Sequence, residues 1–129
     1  MDRSIEELEN DFWGEPEFGS YAVTACHRAR KKPLWELSAE EIRLPVGQRI
    51  GLKYILPLAA ELIQSETLLE VTFFEGDLLC QLLRLEEVHR RDNEAEFERF
   101  KKIVGENYEV IMGCGEVSGD DMGRVMNKK

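Results

Sequence analysis

Apolar residues recur at intervals of three and four along most of this chain, the period of an α-helix with one face turned to a core. Val23 and Cys26, with Ala22, Ala25 and Ala29, follow it in Tyr21 to Lys32. Leu52, Ile55, Leu56, Ala59, Leu62 and Ile63 form a broad stripe in Ile50 to Gln64. Leu78, Leu79, Leu82 and Leu83 repeat it, as do Phe97, Phe100, Ile103 and Val104. The stops and starts agree. Ser4 with Glu7 and Ser38 with Glu41 are capping boxes, and Leu37 precedes the second as a staple for Ile42. Ser20, Asp77 and Asn93 stand where N-caps belong, with Glu96 three residues after Asn93. Trp13-Gly14-Glu15-Pro16 and Pro33 end helices, Pro45 and Gly47 predict a short or bent one, and Pro57 predicts a kink. Val71-Thr72-Phe73-Phe74 has strand propensity but no partner strand, so it is expected as a loop with inward aromatics.

Past Ile111 the chain changes character. Gly113, Gly115, Gly119 and Gly123 punctuate a stretch with few large apolar residues. The expected architecture is mainly α: a compact single-domain bundle of five to six helices, some short or kinked, over residues 1–111. Residues 112–129 are expected as a Gly-rich flexible tail.

Composition narrows the possible roles. The 129 residues suit one domain and carry 26 acidic against 17 basic residues, a net charge of −9. Such a field repels phosphate and anionic membrane and attracts basic partners. The other use of the charge is solubility. Cys26, Cys80 and Cys114 are odd in number, widely spaced and without a CxxC pair, which fits reduced thiols and no zinc site, with Cys26 and Cys80 in apolar-periodic stretches as small core residues. The start, MDRSIEELEND, lacks the apolar core of a signal peptide, and the longest apolar stretch is broken by Lys53, Pro57 and Glu61. A cytoplasmic location is expected.

No nucleophile–base set stands at a recognisable spacing. Cys26 and His27 are helix neighbours pointing about 100° apart. The stretch from Gly113 to Gly119 lacks the Lys-Ser/Thr of a phosphate loop. Glu75 and Asp77 flank Gly76 as a turn into a helix, and two carboxylates make a poor calcium site. No enzyme activity, cofactor or metal is expected. The N-terminal segment is the signal that remains: Asp2, Glu6, Glu7, Glu9, Asp11, Glu15 and Glu17 against Arg3 alone. Glu6 and Glu9 share a helix face, as do Glu7 and Asp11, and a basic partner would relieve their repulsion. A merely solvated helix is the competing reading.

Several phrases together resemble one family: Asp11-Phe-Trp-Gly-Glu-Pro-Glu-Phe, Lys32-Pro-Leu-Trp-Glu-Leu-Ser, Ile42-Arg-Leu, Gly47-Gln-Arg-Ile-Gly-Leu-Lys-Tyr-Ile-Leu-Pro-Leu-Ala and Phe74-Glu-Gly-Asp-Leu-Leu. They are similar to the immunity proteins of bacterial contact-dependent growth inhibition (CDI) systems, over about residues 7 to 104. The resemblance implies a non-catalytic protein that binds the C-terminal toxin domain of a cognate effector, often a nuclease. Gly47, Gly51, Pro57, Gly76 and Asp77 then read as scaffold. Glu6, Glu7, Glu9, Asp11, Trp13, Glu15 and Glu17 are the expected toxin-binding residues in a one-to-one complex, and Trp13, Phe12, Phe18 and Trp35 are candidate aromatic anchors for which core packing is the equal alternative. A helical adaptor for another basic partner is the alternative. A small hydrolase built on paired carboxylates is a more distant one.

Overall fold

The computed structural model describes residues 2–13, 21–71, 74–117 and 119–126. Among them the chain is mainly α: nine α-helices, one 3₁₀ turn and no strand, only an isolated antiparallel bridge between Ser4 and Pro33. The chain divides into two compact units, residues 1–55 and 56–129.

The first unit holds α1 (Ile5–Glu9), α2 (Tyr21–Ala29), the 3₁₀ turn Leu34–Glu36, α3 (Ala39–Gln48) and the start of α4 (Leu52–Ser65). Both capping boxes form. The Ser4 and Ser38 side chains accept from the Glu7 and Glu41 backbone N–H groups, and each glutamate accepts in return from the cap's N–H. Asn10, in the left-handed region at φ 54°, closes α1 three residues ahead of Trp13. Pro45 leaves the Glu41 carbonyl without its i+4 donor. Yet α3 runs unbroken through Pro45 and Gly47 for ten residues rather than stopping short. Burial of Ile42, Leu44 and Val46 outweighs that loss. Helices α2 and α3 pack together, and the core of this unit holds Ile5, Cys26, Ala29, Leu34, Leu52 and Ile55. Burial pushes the Cys26 thiol up to about 11.

The second unit holds the rest of α4, then α5 (Asp77–Leu83), α6 (Glu87–Asp92), α7 (Glu94–Glu106), α8 (Tyr108–Gly113) and α9 (Gly119–Met126). Most of the aliphatic stripe is buried as the period predicts: Leu56, Ala59, Ile63, Leu78, Leu79, Leu82 and Leu83, with Phe97, Phe100, Ile103 and Val104, while Leu62 is half-buried and Ala60 is buried beside them. The rings of Phe97 and Phe100 meet edge to face at 4.9 Å.

Two expected caps differ. Gly76, at φ 84°, takes the N-cap position of α5. Asp77 becomes the first helical residue, and its buried carboxylate accepts from the Val71 N–H at 2.9 Å, fixing the incoming loop. Asn93 precedes α7 but makes no side-chain cap; its amide donates to the His89 carbonyl at 2.8 Å and closes α6 instead. The Gly-rich stretch expected as a flexible tail carries α9, packed on α5 and α7. Val117 and Met122 are buried there, and Asp121 accepts from Arg84 Nε at 2.8 Å. Ser20, Thr72 and Phe73 lie outside the described residues, so the Ser20 cap and most of the 71–74 loop are not seen.

Candidate functional site

The acidic N-terminal segment and the basic run after α2 meet in the first unit. Helix α2 ends at Ala29, three residues before the period predicts, and Arg30, Lys31 and Lys32 fall in the turn beyond it. Backbone bonds hold the two stretches together: Glu6 N–H donates to the Arg30 carbonyl at 3.1 Å and Leu34 N–H to the Arg3 carbonyl at 3.0 Å.

Arg30 is the hub, 1% exposed. Its guanidinium donates to the Glu9 carboxylate and to the Asp11 carbonyl. The Trp13 ring covers it, 3.9 Å from Cζ to ring centroid, and the His27 ring lies 4.9 Å from the Trp13 ring. A planar cation satisfies both contacts at once, one through its edge and one through its face. Lys31 Nζ reaches the Trp13 carbonyl at 2.8 Å and the Glu6 carboxylate at 3.4 Å. Lys32 pairs with Glu41 at 2.7 Å. Trp13 Nε1 donates to Asp11 Oδ2 at 3.1 Å.

Of the seven expected toxin-binding residues, five are therefore described and brought together. Glu6 and Glu9 pair with cations of their own chain. Glu7 completes the α1 capping box, and the Ser4 backbone and hydroxyl bonds hold its carboxyl below the ordinary value. Asp11 and Trp13 build the Arg30 cage. Glu15 and Glu17 lie outside the described residues, as does Phe18. The basic run complementary to this segment is visible in the sequence, but its role as an internal counter-charge is not, because pairing across 21 residues depends on the turn that ends α2. Two nearby aromatics stand out to solvent, Phe12 at 63% and Trp35 at 61% exposure.

Among the scaffold residues, Gly51 and Gly76 hold positive φ, Gly47 lies within α3 and Pro57 within α4. Among the described residues no three His, Cys, Asp or Glu side chains gather as a metal site, and no helix is long and apolar enough to cross a membrane.

These features define a helical, acidic protein with paired charges and exposed aromatic side chains. A family model of CDI immunity proteins matches residues 7–100, and this chain belongs to that family. The match begins within α1, ends midway through α7 and stops short of α8 and α9. No curated protein and no solved structure is significantly similar to the chain.

Proposed function

We propose that this immunity protein neutralises the C-terminal toxin domain of its cognate CDI effector by binding it in the cytoplasm as a one-to-one complex, without catalysis. The membership of residues 7–100 in the CDI immunity family carries the reading. The net charge of −9 supports a basic toxin, and a nuclease that grips phosphates fits that description.

Within the N-terminal segment, the proposed contact passes through Phe12, Trp13 and the carboxylates of Asp11, Glu15 and Glu17. Glu6, Glu7 and Glu9 contribute chiefly by holding that segment in place: Glu6 and Glu9 pair with Lys31 and Arg30, and Glu7 closes the capping box with Ser4. Co-expression with the toxin domain encoded beside this chain tests the function. Growth should be rescued by the wild-type chain, and a Phe12→Ala, Glu15→Lys, Glu17→Lys variant should need higher expression for the same rescue. Absence of rescue by the wild-type chain overturns the function. Equal rescue by the variant removes the segment from the interface.

A further inference from the structure

Helix α8 buries only Ile111 and turns its other apolar side chains outward. Tyr108 is 47% exposed, Val110 60% and Met112 41%. Tyr108 and Met112 stand one turn apart on the same face, and Val110 occupies the opposite flank. Met112 reaches toward the head of α9, its Cε 4.0 Å from where a side chain on Gly119 would begin. Nothing stands within 4 Å of a Cβ placed on Gly113 or Gly115.

From Gly105 to Gly123 the exposed charge has one sign. Glu106, Glu109, Glu116 and Asp120 are all exposed, and no Lys or Arg occurs from Gly105 to Gly123. Asp121, the remaining acid of the stretch, is turned inward to Arg84. An apolar centre with a charged rim is the anatomy of a protein-binding patch. A second copy of this chain would bring the same carboxylates against one another, which disfavours it. The stretch also lies beyond residue 100, where the family match ends.

We infer that the α8–α9 face is a specificity surface for a lysine- and arginine-rich protein partner, with Tyr108 and Met112 as its anchors. Resting on the proposed function, the partner is the basic toxin domain. An arginine or lysine stem lies over the Tyr108 ring, the Met112 thioether adapts to its aliphatic part, and the carboxylate rim receives the neighbouring cations.

Calorimetric titration of the full chain with the toxin domain encoded beside it tests the assignment. Gly115→Lys adds bulk and positive charge where nothing clashes and where φ is not positive, so the free protein keeps its fold. It should weaken binding about tenfold or more at an unchanged melting temperature, as should Tyr108→Ala. Gly115→Ala should bind as the wild type. Wild-type binding with both variants within about twofold of it overturns this surface and leaves the proposed function standing. Absence of wild-type binding overturns both. A concentration-dependent dimer of the chain alone, abolished by Gly115→Lys, assigns the face to a second copy and overturns the inference.

Discussion

A methyl group added at Gly51 would lie 3.0 Å from Ile5 Cγ2 and 3.1 Å from Ile5 Cδ1, on a backbone held at φ 60°. Ile5 is fully buried and has no room to retreat. Both effects have the same sign, so Gly51→Ala should cost about 1–3 kcal/mol of unfolding free energy. Gly113 is the contrasting case. It ends α8 in open space without positive φ, and Gly113→Ala should stabilise by up to about 1 kcal/mol through the unfolded state. Urea unfolding of the two variants checks both signs, and equal effects would refute the account. Arg30 shows the same dependence on surroundings. Its position in a basic run suggests a solvated cation, and only its cage of Glu9, Asp11 and Trp13 explains a buried one.

At the scale of elements, α1 and α3 begin with the same device and share a pH dependence. Hydrogen bonds from Ser4 hold the Glu7 carboxyl below 4.5. Burial pushes the Glu41 carboxyl up, but its bonds with Lys32 and Ser38 outweigh that and leave it lowered. A carboxyl lowered on folding stabilises above its unfolded value and loses that contribution as pH falls through the folded one. Stability should therefore decline below about pH 4.5 as both boxes protonate. Ser4→Ala with Ser38→Ala should cost about 1 kcal/mol per cap at pH 7 and flatten the acid decline, as urea midpoints at several pH values would show. An unchanged acid slope would place it elsewhere. Both boxes are legible in the sequence because the partners are three residues apart. The failed caps at Asp77 and Asn93 are not: Val71 and His89 compete for those side chains, and both contacts depend on how neighbouring segments approach.

Over the whole molecule, charge is unevenly divided. Residues 1–55 carry ten acidic and eight basic side chains, a net −2, and residues 56–129 carry sixteen and nine, a net −7. The acidic and basic side chains of the first unit nearly balance, so the field that would steer a basic partner comes mainly from the second unit. Association with the toxin domain should slow by about tenfold or more between low and high salt, as the Debye length shrinks from about 10 Å at 0.1 M to 3 Å at 1 M. Stopped-flow rates against ionic strength measure this, and a flat profile would exclude steering. Lys substitutions at Glu109 and Glu116 should reduce that salt dependence more than Lys at Asp2.

The sequence by itself determined the helical class, the apolar stripes, both capping boxes and the family phrases between residues 7 and 100. Each is a local pattern, read from spacings of three and four or from a short run of residues. Tertiary structure decided what those patterns could not carry. It ended α2 early enough to turn Arg30 inward onto Glu9, carried α3 through Pro45, and formed α9 from a Gly-rich stretch whose Val117 and Met122 find a core. Helices this short gain most of their stability from packing rather than propensity, so their existence depends on partners distant in sequence. The same holds for the meaning of the charges, since a carboxylate is a fold contact or an open one according to which cation the chain folds against it.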